Sequence, residues 1–276
     1  MSIVEVAGTV VHYHSIGEGP GLMLVHGSSI DAATNFGGLV EQFADRRTVI
    51  TPDYAGSGKT TLPDGELTAE LLVAQMAAVA DHAATGPVDV VGFSLGAVVA
   101  AALTARHPDL VRRLVLVAGW VDSTDPRLRL GLSTWRRLLD IDADLYASYG
   151  LLVGASPAFL GKFDEQTLAT LRALRPAPGT AAQIDLDLRI DIRDELAEIL
   201  VPTLVVGCTQ DHLVPVKHAR LLHEGIAGSE YTEMDSGHVV FAEQPDAIAN
   251  VIREFIHRGE SASGANGPTD TSAVGR

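Results

Sequence analysis

The chain has 276 residues, 46% of them hydrophobic, which is ample for a sizeable core. Its net charge of −15 argues against nucleic acid and anionic membranes as partners; the expected partner is a small-molecule substrate, and a homodimer is left open. The single cysteine, Cys208, rules out an internal disulfide and fits a cytoplasmic location, the first residues carry no leader pattern, and no apolar run reaches transmembrane length.

Taken in chain order, residues 3–16 read as two short strands with a turn at Ala7-Gly8. Leu22 to Val25 is a buried strand running into His26-Gly27. Residues 34–45 are expected to be helical, and Arg47 to Thr51 a strand that ends at Asp53. Gly56-Ser-Gly58-Lys59-Thr60 has the tail of a phosphate-binding loop, but Asp53 stands where that loop needs its first glycine, so a tight turn is expected there. A helix over 68–84 starts at a Thr68 cap and stops before Gly86-Pro87.

Val88 to Val91 is the next apolar run, followed by Gly92-Phe-Ser94-Leu-Gly96 and then the helical Ala97 to Arg106. A serine framed by glycines two before and two after, between a strand and a helix, is the pattern of a nucleophile elbow. The glycines let strand and helix pack closely around a strained turn, and the helix N-terminus offers free N–H groups to a developing oxyanion. Val111 to Ala118 is another buried strand. Apolar strands alternating with helices imply a parallel sheet covered on both faces.

The rhythm breaks over residues 121–195, which lack a strand-like run and read as an inserted helical cap; residues 1–120 and 196–258 then form the core. The strand rhythm resumes at Pro202 to Val206, with a helix near 216–225, a strand over 230–234 and a last helix over 243–257. Residues 259–276, rich in Gly, Ser, Ala and Thr, are expected to be a disordered tail.

A serine hydroxyl needs a base to take its proton, and the base needs a third group to fix its tautomer. His238 in Ser-Gly-His238 is the expected base, with His212 as its competitor; Asp211, just past a C-terminal strand, is the expected acid, with Asp122 as the alternative. The backbone N–H groups of Leu95 and Ser28 are the expected oxyanion donors, with His26 holding the loop. Trp120, Trp135, Tyr146 and Tyr149 are the candidate substrate-binding residues, weighed against helix packing. Arg136-Arg137 reads as a solvated helix face.

As a set, Leu-Val-His26-Gly27, Asp53-Tyr-Ala-Gly56-Ser-Gly58-Lys-Thr60, Gly-Phe-Ser94-Leu-Gly and Asp211…Ser-Gly-His238 resemble the α/β-hydrolase family, in its cap-bearing esterase- and lactonase-like branch. The likeness spans about residues 3–257. Two positions depart from the pattern: Cys208 stands where the family usually has glycine, and Ser-Ser-Ile-Asp follows His26-Gly27 without the common proline and tryptophan. The resemblance implies an α/β fold with an eight-stranded, mostly parallel sheet, a helical cap and no cofactor. The expected activity is hydrolysis of a small or medium carboxylic ester, lactone or thioester through Ser94. C–C bond hydrolysis, acyl transfer and lyase chemistry use the same triad, and an idle ligand-binding member of the fold is the alternative of another class.

Overall fold

A computed structural model describes residues 1–84 and 86–259; the expected tail, apart from Gly259, lies outside the described residues. The apolar runs become strands β1 Ser2–Val6, β2 Thr9–Ile16, β3 Gly21–Val25, β4 Thr48–Asp53, β5 Val88–Phe93, β6 Val111–Val117, β7 Thr203–Cys208 and β8 Glu230–Met234. They form one eight-stranded sheet in the order β1-β2-β4-β3-β5-β6-β7-β8. Strand β2 pairs antiparallel with β1 and β4, and every other pairing is parallel. All residues of β3, β5 and β7 are buried, which is why they read as continuous rather than alternating apolar runs.

The helices are α1 Ala32–Phe43, α2 Ala69–Ala83, α3 Leu95–Arg106, α4 Pro126–Ile141, α5 Ala143–Gly154, α6 Pro157–Leu160, α7 Glu165–Arg172, α8 Thr180–Asp187, α9 Lys217–Gly225, α10 Val240–Glu243 and α11 Pro245–Ile256. Leu72 and Met76 of α2, Val98 and Leu103 of α3, and Leu222 of α9 pack with Val88 and Val90 of β5. Phe36 and Phe43 of α1 and Ile248 and Ile252 of α11 pack with Val91 and Phe93, on the other face. The single strand β5 therefore feeds both apolar layers through its period-two alternation. Capping fixes the helix starts: Asp31 accepts from the Thr34 amide at 2.8 Å, and Thr68 from the Leu71 amide at 3.2 Å. No helix among the described residues is long and apolar enough to cross a membrane.

Helices α4 to α8 all lie between β6 and β7 in the chain. The neck of this insertion is tied by an isolated bridge between Asp122 and Asp191, with the Ile192 amide donating to Val121 O at 2.9 Å. Strand β7 runs two residues further than its apolar pattern suggests. Cys208, buried at its end, pairs with Met234 of β8.

The close approach of α3 to the sheet depends on Gly96. A Cβ there would sit 2.1 Å from Val25 O and 2.4 Å from His26 O, both rigid backbone atoms. Replacing Gly96 with Ala is expected to destabilise the fold by at least about 3 kcal/mol, since overpacking against backbone cannot be relieved by a rotamer change. A urea midpoint equal to that of the wild type would contradict this packing.

Candidate active site

The sheet presents three loops at the carboxyl ends of β5, β7 and the edge strand β8. The turn after β5 carries Ser94, the loop after β7 carries Asp211, and the loop after β8 carries His238. Ser94 has φ 55° and ψ −122°, a conformation a non-glycine residue holds only when its surroundings force it. Two features force it here. A Cβ on Gly92 would lie 2.3 Å from Gly96 O, so strand and helix meet with no room between them, and the Ser94 amide is held by Val117 O at 3.0 Å.

The Ser94 hydroxyl donates to His238 Nε2 at 3.0 Å, and His238 Nδ1–H donates to Asp211 Oδ2 at 2.6 Å. The other carboxylate oxygen, Asp211 Oδ1, accepts from the amides of Leu213 at 2.9 Å and Val214 at 2.7 Å. Both oxygens of the acid are thus engaged and its rotamer is fixed. The ring of His238 lies against Phe93, with centroids 4.9 Å apart. Only 8% of Ser94, 6% of Asp211 and 5% of His238 is exposed, so this chain of hydrogen bonds operates largely out of water, where electrostatic interactions are strong.

Leu95 is the first residue of α3, and its N–H therefore lies among the amides that a helix leaves without an intrahelical partner. Across from it runs the loop 26–29. A Cβ on Gly27 would come within 3.2 Å of Ser94 Cβ, which places Ser28 next to the nucleophile. The core pins this loop. The Gly27 amide donates to Asn35 Oδ1 at 3.0 Å, and the Tyr54 hydroxyl donates to Gly27 O at 2.7 Å. His26 is stacked on Tyr54 at 3.9 Å, with Nδ1 2.7 Å from Gly27 O, and burial pushes it down to about 4, so it holds the loop as a neutral ring.

Asp122 and His212 stand outside this chain of hydrogen bonds, and the other expected candidates make contacts of their own. Asp122 is turned to its own loop, accepting from the Thr124 amide at 2.8 Å and from the Thr124 hydroxyl. His212 follows the acid, and its amide donates to Val153 O of α5 at 3.1 Å. His218, which reads as a helix-surface residue, is only 2% exposed and lies beside Asp125. Trp120 is buried in the main core with its Nε1–H donating to Ser123 Oγ at 3.1 Å. Trp135 of α4 stacks on Tyr146 of α5 at 5.1 Å and 4° between planes, and the Tyr146 hydroxyl donates to Ser29 Oγ at 2.7 Å. Tyr149 is hydrogen-bonded back to Gly131 O of α4 at 3.4 Å. Arg136 pairs with Asp140 and Asp185 on the insertion itself. Lys59 is exposed in the tight turn, where the Gly56 amide donates to Thr60 O at 3.1 Å.

Besides the Tyr146–Ser29 and His212–Val153 hydrogen bonds, the insertion touches the site through the C-terminal end of α5 and through α8. Its α5 end meets the His238 loop, where Gly154 O accepts from the Val239 amide at 3.1 Å and a Cβ on Gly237 would lie 2.6 Å from the same oxygen. Its α8 helix meets the loop 26–29, which the sequence does not foretell. Gln183 Oε1 accepts from the Ser29 amide at 2.8 Å, and Asp187 Oδ2 accepts from Ser28 Oγ at 2.8 Å. Asp187 is 2% exposed and its Oδ1 has no hydrogen-bond partner among the described residues. Burial is the chief cause that pushes its carboxyl up to about 8; the Ser28 hydrogen bond opposes the rise and the nearby Asp185 adds to it.

That shift has a consequence for stability. The folded value lies above the ordinary 3.8, so the folded protein binds the proton more tightly than the unfolded chain does. The resulting stabilisation is complete below about pH 4 and is lost as pH rises to about 8. Relative to Asp187→Asn, the wild type is expected to lose on the order of a few kcal/mol across that window, read by urea denaturation at each pH. Parallel stability curves for the two proteins would show that Asp187 folds as an ionised group.

A strained serine at a helix N-terminus and a histidine oriented by a buried carboxylate form an arrangement that can transfer an acyl group. The chain belongs to the alpha/beta hydrolase family, whose model matches residues 22–251. It is an alpha/beta hydrolase enzyme with that family's sheet. It is 37% identical over 260 residues to a pyrrolizixenacetamide deacetylase of Xenorhabdus hominickii, covering 93% of this chain and 98% of the relative. It is 31% identical over 227 residues to RutD of Azorhizobium caulinodans, a protein provisionally named a carbamate hydrolase, covering 78% and 83% of the two chains. Among solved structures, the enol-lactonase of Burkholderia xenovorans superposes with a TM-score of 0.82 at 24% identity, over 92% of this chain and 99% of that one, a likeness of fold.

Proposed function

We propose that this enzyme is a serine hydrolase that cleaves a small or medium carboxylic ester, lactone or thioester through an acyl-enzyme on Ser94. The observation that carries the reading is the unbroken chain from Ser94 Oγ through His238 to Asp211, at 3.0 and 2.6 Å. In this reading Ser94 Oγ attacks the substrate carbonyl while His238 Nε2 takes its proton. Asp211 keeps the Nδ1–H tautomer and stabilises the imidazolium. The amides of Leu95 and Ser28 receive the oxyanion. His238 then gives its proton to the leaving group, and a water, activated by the same ring, hydrolyses the acyl-serine. Helices α4 to α8 serve as the cap that limits which substrates reach Ser94, and the Trp135–Tyr146 stack forms part of the cap wall nearest loop 26–29.

A second reading, hydrolysis of an N-acetyl amide by the same steps, is favoured by one observation: the relative at 37% identity is named a deacetylase. The amide demands more of His238, because an amine must be protonated to leave. The test is a panel of p-nitrophenyl acetate and butyrate, small lactones, and the N-acetyl amides of aromatic amines, scored for free carboxylic acid. The first reading predicts acid release with the highest kcat/KM on an ester or lactone. A higher kcat/KM on the amides would replace it with the second, and acid release from none of the panel would contradict both.

A further inference from the structure

The donor loop of the site is held from two sides. The core fixes Gly27, through Asn35 and Tyr54, whereas Ser28 and Ser29 are held by the insertion. Ser29 has φ 74°, a left-handed conformation that a serine keeps only under constraint. The constraint comes from Gln183 Oε1 on its amide and from the Tyr146 hydroxyl on its Oγ. Gln183 is itself locked, with Nε2 donating to Ser57 Oγ at 2.9 Å and to Ala55 O at 3.2 Å, and none of it is exposed. One helical turn further along α8, Asp187 holds the Ser28 hydroxyl. The Ser28 N–H, which the proposed mechanism aims at the oxyanion, lies in the peptide that joins Gly27, held by the core, to Ser28, whose hydroxyl and following Ser29 amide are held by the insertion.

We propose that Gln183 and Asp187 are positioning residues that set the Ser28 amide for catalysis, and that Asp187 does so as a neutral acid. The idea rests on the serine-hydrolase reading of the site. The environment of Asp187 argues for neutrality. Among the described residues no Lys, Arg or His forms an ion pair or hydrogen bond with its carboxyl group. The groups facing it are the Ser28 hydroxyl, Tyr54 after β4, Tyr146 on α5, and Asp185 on its own helix. Arg129 of α4 donates instead to the nearby carbonyls of Ser123 and Leu188. A buried carboxylate without a cation is costly. A negative charge here would also repel the anion that forms at Ser28 N–H. The upward shift of Asp187 to about 8 agrees with this geometry and places the loss of the neutral form on the alkaline side. The cap thus helps assemble the oxyanion site as well as screening substrates, and ionising one cap residue switches that help off.

The test is the pH profile of kcat and KM on p-nitrophenyl acetate from pH 6 to 10, for the wild type, Asp187→Asn, Asp187→Ala and Gln183→Ala, with fluorophosphonate labelling of each. Removing a whole oxyanion donor costs roughly 10²–10³ in kcat, so misplacing one is expected to cost about tenfold or more in Asp187→Ala and Gln183→Ala, with KM within about threefold. Asp187→Asn, unchanged in volume and always neutral, is expected to keep kcat near the wild-type value at pH 7. It should also lack the wild type's decline above about pH 8. An unchanged kcat in both alanine variants, a loss carried in KM alone, or an alkaline decline that survives in Asp187→Asn would overturn the proposal while leaving the serine mechanism standing. A wild type that neither turns over the ester nor labels at Ser94 would overturn both.

Discussion

Replacing Ser94 with Ala is expected to lower kcat/KM by about 10⁴–10⁶-fold, the loss typical of removing a nucleophile from an interdependent triad. The size follows from what the hydroxyl does in the structure. Its hydrogen bond is to His238 Nε2, so the base is left with no proton to take and no attacking atom beside it. The backbone donors stay, which leaves a residual acceleration over water. The fold is expected to survive, because the positive φ at this position is imposed by the Gly92–Gly96 contact and by Val117 O, neither of which involves the hydroxyl. A thermal midpoint within a few degrees of the wild type, together with the lost rate, is the expected pair of results. Retention of wild-type kcat/KM would move the chemistry away from Ser94.

Asp211→Asn is expected to lower kcat/KM by about 10³–10⁴-fold near neutral pH without unfolding the protein. The reason lies in the two amides of Leu213 and Val214, which donate to Asp211 Oδ1 and would demand the oxygen of an asparagine at that place. The asparagine NH₂ must then face His238 Nδ1. A donor there forces Nδ1 to accept, which moves the ring proton to Nε2 and leaves Ser94 without a base. The check is kcat/KM against the urea midpoint of the same variant. Wild-type activity in Asp211→Asn would mean that another group, such as Asp122, orients the histidine.

Much of this arrangement is legible in the sequence, and the reasons differ by element. Short apolar runs mark β3 and β5, and Leu114 to Val117 marks the buried half of β6, because strands buried on both faces need no polar alternation. Gly92 and Gly96 mark the elbow because only glycine fits the gap they occupy. Asp211 and His238 stand out because they follow strands at the carboxyl edge, where a parallel sheet presents its loops. What the sequence conceals is long-range. Gln183 and Asp187 look like the polar face of an amphipathic helix, and their partners lie 154 and 159 residues away. No local pattern marks such a pair. The 2% exposure of His218 on α9 is also set by tertiary packing, which no local pattern marks. The missing proline and tryptophan after His26-Gly27 also gain a physical account. Asn35 takes the Gly27 amide, and α8 supplies the rest of the loop's support from the insertion.

The measurement that tests the central claim most directly is the intact mass of the wild type and of Ser94→Ala after treatment with a fluorophosphonate, with the modified peptide mapped. On the proposed mechanism, one covalent adduct should form, on Ser94, in the wild type and none in the variant. An unmodified wild type, or equal labelling of Ser94→Ala, would contradict a nucleophilic role for Ser94 and with it the mechanism built on this site.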